Sequence, residues 1–125
     1  GVGIVDGGQD PTRSVKSVRL DDVFGVSSNI FFMKVDTEGN EFHVLKSAET
    51  LLTAQQIKYM VVEVRPSQVE MVNYLYEHGY TCSLIREARS REAVTCRSTS
   101  LEDVLKQLQR VEAFSDMFCC IGVSR

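Results

Sequence analysis

The sequence predicts an α/β fold, and three observations carry the prediction. Apolar runs suited to strands alternate with stretches of helical periodicity. The run Ile30 to Val35 (IFFMKV) closes on Asp36, meets a glycine turn and passes at once into helical spacing. Between two further apolar runs, Ser67 to Gly79 carries both the start and the stop signals of a helix. The order read along the chain is strand, strand, helix, strand, helix, strand, helix, strand, without an internal repeat or a second domain.

Gly1 to Ser14 holds four glycines and a proline with little apolar material, and reads as a loop or a loosely tied terminus. Val15 to Leu20 alternates Val15, Val18 and Leu20 with basic or small residues, a modest strand signal. A helical turn through Val23 and Phe24, ended by Gly25, is expected after it. In the run Ile30 to Val35 the nearly continuous apolar side chains suit a strand covered on both faces, as in parallel sheets. Beyond Gly39, the residues Val44, Leu45, Ala48, Leu51 and Leu52 fall on one helical face and leave Glu41, Lys46 and Glu49 to solvent.

Ile57 to Val64 (IKYMVVEV) is a second β-branched run, stopped by Pro66. Ser67 with Glu70 fits a capping box, Val69, Val72, Leu75 and Tyr76 supply an apolar face, and Gly79 stands at the expected C-cap. Tyr80 to Ile85 is a third strand of this group and Arg86 to Thr99 a long loop. Ser100 then caps a helix with Leu101, Val104, Leu105, Leu108 and Val111 on its apolar side, and Phe118 to Val123 is the last strand.

The totals narrow the function. A chain of 125 residues with 43% hydrophobic and 25% charged residues has the composition of one globular domain. Its net charge of −3 and scattered basic residues argue against a nucleic-acid surface. No apolar run approaches a membrane span, and no leader pattern is visible. The expected location is cytoplasmic, with a leader upstream of Gly1 left open. Cys82, Cys119 and Cys120 lie in apolar runs and read as buried free thiols in a reduced compartment, while Cys96 in its polar stretch is the one candidate reactive thiol. The opening GVGIVDGG is not a nucleotide loop, because such a loop follows a strand and opens a helix.

The residues with chemistry are acids near strand ends, where open α/β sheets bind their ligands. Asp36 can orient a substrate hydroxyl or take its proton, or can instead cap the following helix. Glu38 and Glu41 fall in that helix's first turn, where the macrodipole alone stabilises carboxylates. Glu63 emerges near the end of the neighbouring strand, or pairs on the surface with Lys58 or Arg65. His43 and His78 read as solvated or helix-end residues. Hard oxygen ligands could recruit a divalent ion, yet no calcium-loop spacing is present, and no metal is expected.

VRLDDVF (Val18 to Phe24), FMKVDTEGNEFHVLKSAETLL (Phe32 to Leu52) and VVEVRP (Val61 to Pro66) together resemble the FkbM-type methyltransferases. The matching positions are Lys34, Asp36, Glu38, Gly39, Glu41 and Leu45, with Leu20 and Asp21 upstream and Glu63 downstream. The resemblance implies the carboxyl-terminal half of such a domain over residues 15–125. Its sheet would be Rossmann-like with the first strands missing and the last strand inserted antiparallel between its two predecessors. It further implies methyl transfer from S-adenosylmethionine to a hydroxyl of a small molecule or sugar. Asp36 and Glu38 would then be catalytic, and Asp21, Glu41 and Glu63 supporting or substrate-side groups. The family's glycine-rich cofactor turn has no counterpart in Gly1 to Ser14, so weak cofactor binding and an inactive isolated chain are expected. An exposed central strand also predicts self-association or marginal stability. The competing readings are a non-catalytic binding or oligomerisation module and an unrelated α/β domain with metal-assisted chemistry.

Overall fold

A computed structural model of the chain describes residues 19–24, 28–85 and 99–122. The elements are α1 (Leu20–Val23), β1 (Ile30–Val35), α2 (Glu41–Lys46), α3 (Glu49–Thr53), β2 (Ile57–Val64), α4 (Val69–Glu77), β3 (Tyr80–Ile85), α5 (Leu101–Leu108) and β4 (Ser115–Ile121). Among the described residues the four strands form one sheet in the order β1-β2-β4-β3. β1 and β2 are parallel, whereas β4 runs antiparallel to both β2 and β3 and lies between them. The result is a mixed, open α/β sheet, part of a Rossmann-like arrangement.

Register explains which residues make the core. Met33, Met60, Cys119 and Cys82 stand abreast across the four strands, and Val35, Val62, Met117 and Leu84 form the next row. Apart from Leu84, which is partly buried and packs against it, these rows belong to the same buried cluster as Leu45, Leu51 and Leu52 of α2 and α3, Met71, Val72 and Leu75 of α4, and Val104 and Leu108 of α5. Burial of this apolar face is the main stabilising contribution. The other face carries Phe32, Tyr59, Cys120 and Thr81 in one row and Lys34, Val61, Phe118 and Ser83 in the next.

Several expectations change. β1 is not covered on both faces: Met33 and Val35 are buried, but Phe31 and Phe32 remain 69% and 50% exposed. Leu20 opens a helical turn, with Arg19 as its N-cap, instead of ending a strand; the loop expected at Gly1–Ser14, residues 15–18 of the expected strand, the Gly25 stop, most of the Arg86–Thr99 loop and Cys96 lie outside the described residues. Ser67 and Glu70 form no capping box, since α4 begins after Gln68 with no side-chain cap. β4 starts at Ser115, three residues before the expected Phe118. Ser100 does cap α5, its Oγ accepting the Asp103 N–H at 3.1 Å. Gly79 follows α4 at φ +87°, a conformation that favours glycine.

The single helix expected beyond Gly39 is two short ones, and Asp21 is the cause. A continuous helix would send the N–H groups of Thr50 and Leu51 to the carbonyls of Lys46 and Ser47. Instead the Asp21 carboxylate accepts both, at 2.9 and 3.2 Å. The freed Ser47 carbonyl accepts the Asp21 N–H at 2.9 Å, and Lys46 O accepts from Arg19 Nη2 at 3.4 Å. Asp21 therefore caps α3 from a distant part of the chain.

Of the cysteines, Cys82 and Cys119 are buried free thiols, as expected. Cys120 is disulfide-bonded, which corrects the reading of every strand cysteine as a reduced thiol. No helix among the described residues is long and apolar enough to cross a membrane.

Candidate functional site

The parallel strands β1 and β2 end at the same rim, with Val35 level with Val62. Just beyond, Asp36 and Glu63 converge and share a hydrogen bond. Asp36, Glu41 and Glu63 each bring a carboxylate oxygen within 4.8 Å of the other two. β4 enters the sheet at this same end, so that Asp116 stands opposite Glu63 and Ser115 opposite Val64.

Glu41 was expected in solvent and is fully buried. The β1–α2 turn explains why. Gly39 takes φ +111° and Glu38 φ +54°, which turns the backbone amides of Thr37 and Gly39 onto the Glu41 carboxylate at 2.9 and 3.0 Å. Gln68 Nε2 and Arg65 Nη1 donate to the same carboxylate at 3.4 Å each. Burial alone would raise this carboxyl, but the N–H groups of Glu41, Thr37 and Gly39, together with Gln68, outweigh it and hold it below its ordinary value.

Glu63 is the second buried acid among the described residues, at 7% exposure. Burial pushes its carboxyl above the ordinary value; the hydrogen bond that the protonated carboxyl donates to Asp36 and the charges of Asp36 and Glu41 act in the same sense, against the attraction of Arg65. The Arg65 Nη2 to Glu63 distance is 2.8 Å. The pairing with Arg65 considered from sequence is thus real, but it is inside the rim and not on the open surface.

The remaining candidates separate. Asp36 is exposed and does not cap α2, whose N-cap is Asn40. Glu38 is exposed at the apex of the turn, outside the cluster of three. Asp21 is committed to the amides of α3 and does not join the rim. Sequence reading missed Gln68, which clamps Glu41 and also accepts the Arg65 N–H at 2.8 Å, and it missed Asp116. Gln68 carries no motif signal; Asp116 would have been found by starting the last strand earlier. A hard cation could use carboxylates at this spacing, but here the Glu41 oxygens are occupied by four donors and Arg65 provides the positive charge between Glu41 and Glu63.

The sheet and its acid-lined rim define a Rossmann-like α/β protein in part. The Methyltransferase FkbM domain family model matches residues 6–82, more than half of the chain, and the chain belongs to that family. The match corrects the expectation of a carboxyl-terminal half only: it covers the amino-terminal and middle portion of this chain, starting inside the segment read as a loop and ending in β3. Neither a curated protein nor a solved structure matches.

Proposed function

We propose that this rim is the acceptor side of an S-adenosylmethionine-dependent O-methyltransferase. The observation that carries the reading is the meeting of Asp36 and Glu63 at the ends of two neighbouring parallel strands, one carboxyl exposed and the other buried with its ionisation opposed. Family membership adds the reaction class.

In this reading Asp36 accepts a hydrogen bond from the acceptor hydroxyl and takes its proton as the oxygen attacks. Glu63, holding a proton more readily than an ordinary glutamate, donates to Asp36 and keeps its oxygens aimed at the rim. The bond formed is methyl carbon to acceptor oxygen, the bond broken is methyl carbon to sulfur with its electron pair left on the departing thioether, and the proton ends on Asp36. S-adenosylmethionine, when bound, supplies the electrophilic methyl group. The donor set suits a hydroxylated small molecule, because carboxylates accept from hydroxyls; no described residue is assigned to the adenosine. Glu38 remains a rim carboxylate free to meet the acceptor. Glu41 and Asp21 act through the backbone they hold and not on the acceptor directly.

A second reading, a non-catalytic oligomerisation module, is favoured by the aromatic side chains Phe31 and Phe32 exposed on β1 at the end of the described sheet order. Incubation with methyl-labelled S-adenosylmethionine and a panel of hydroxylated small molecules separates the two. Labelled ether product that is lost in folded Asp36→Asn supports the enzyme. Transfer undiminished in that variant removes Asp36 from its role, and a self-associated chain in sedimentation that transfers no methyl group to any acceptor favours the module.

A further inference from the structure

We propose that Arg65 is the positioning residue of the rim: its forked guanidinium ties the exit of β2 to the start of α2 and so fixes where the Glu63 carboxyl stands relative to Asp36. Three independent contacts hold the side chain. Nη2 lies 2.8 Å from Glu63 Oε1 and Nη1 lies 3.4 Å from Glu41 Oε1. The Phe114 ring flanks the guanidinium, 5.9 Å from its centroid to Cζ.

The backbone of Arg65 is held as well. Its N–H donates to Gln68 Oε1 at 2.8 Å, and its carbonyl accepts the Gln68 N–H at 2.9 Å. Gln68 also donates to Glu41 at 3.4 Å, closing a ring of contacts between the two strand-end turns. A planar fork serves this purpose where an ammonium would not, since it presents two parallel donor edges with fixed separation.

The groups facing Glu63 come from every neighbouring element: Asp36 from the end of β1, Glu41 from α2, Asp116 from β4 and Arg65 from the β2 exit. Lys34 of β1 lies farther along the same face. Three of the four nearest are acids, so Arg65 is the one close cation among these described groups. It opposes the crowding of carboxylates while leaving Asp36 unengaged by any salt bridge among the described residues. The inference rests on the acceptor-site reading only for its consequence in methyl transfer; the positioning itself needs neither cofactor nor acceptor.

The experiment is a carbon-detected NMR titration of the side-chain carboxyls in the full chain, in wild type, Arg65→Gln and Arg65→Lys, with core methyl dispersion as the check of folding. In Arg65→Gln the Glu63 midpoint should rise by about one pH unit, the size of effect an adjacent arginine has on a carboxyl. Arg65→Lys should recover only part of that rise, because charge returns without the fork. An unchanged midpoint in folded Arg65→Gln, or complete recovery in Arg65→Lys, overturns the proposal. Should Arg65→Gln fail to fold, wild type alone decides: the Arg65 guanidinium should show restricted rotation with separately resolved Nη signals, and averaging like that of a surface arginine overturns it. A failure to bind S-adenosylmethionine would count against the methyltransferase reading and leave these outcomes untouched.

Discussion

Arg65 pairs with Glu63 at 2.8 Å, yet Glu63 is one of the two buried acids of the described chain and holds its proton more tightly than a free glutamate. The two facts are compatible because Asp36 and Glu41 crowd the same carboxyl.

Stability should therefore fall as the pH rises through the folded Glu63 midpoint. A carboxyl whose folded pKa is raised contributes most below the unfolded value, here about 4.5, and loses that contribution as it ionises. Glu63→Gln keeps both the donor to Asp36 and the acceptor for Arg65 but cannot ionise. Urea midpoints measured from pH 5 upward, across roughly the range where carboxyls titrate, should decline in wild type and flatten in the variant; parallel curves would contradict the assignment.

Glu41 has the opposite sign. Its folded pKa is depressed, so its contribution is complete above the unfolded value of 4.5 and is lost as the pH falls through the folded midpoint. Glu41→Ala strands the amides of Thr37 and Gly39 and leaves Arg65 short of a partner. The expected cost is about 3 kcal/mol in chemical denaturation at neutral pH. A loss well below that would mean the turn relaxes and finds water.

Asp21→Ala should cost about 1 kcal/mol by removing the cap of α3. Amide exchange at Thr50 and Leu51, the two groups it accepts from, should accelerate, while the carboxyl titration of Glu63 stays as in wild type. A changed Glu63 titration would place Asp21 in the rim after all.

Phe32 on β1, half exposed at 50%, should drive self-association through the strand edge. Sedimentation of wild type should depend on concentration, and Phe32→Lys should suppress that dependence, since an edge lysine disfavours pairing with another chain. Concentration-independent sedimentation of the wild-type monomer would remove the edge as a contact surface.

The rim was legible as far as local pattern reaches. Asp36 and Glu63 stand out because each follows an apolar run, and residues that end neighbouring parallel strands must emerge together. The burial of Glu41 was legible in its spacing, since it stands three, four and seven residues before Val44, Leu45 and Ala48 and so falls on the apolar face; its charge pointed to solvent instead, and what the spacing did not show was the set of donors, the turn amides with Arg65 and Gln68, that lets a carboxylate stay there. Covering of β1 failed for a similar reason. An apolar run shows that a strand can be buried on both faces, not that anything lies against each face.

Spacing, turn residues and composition were enough for the α/β class, for the alternation from Ile30 onward, for the Ser100 cap and for acids at strand ends, since these follow from contacts within a few residues. The break between α2 and α3, the arrival of Asp116 beside Glu63 and the strut at Arg65 were decided by tertiary structure alone. Each depends on a group 24 or more residues away in sequence, such as Arg65 for Glu41 or Asp21 for Thr50, and no local periodicity encodes which distant partner will accept or donate a buried hydrogen bond. The glycine turn and its acids were visible from the start; that one of them is a buried strut and another an exposed carboxylate is a property of the folded rim.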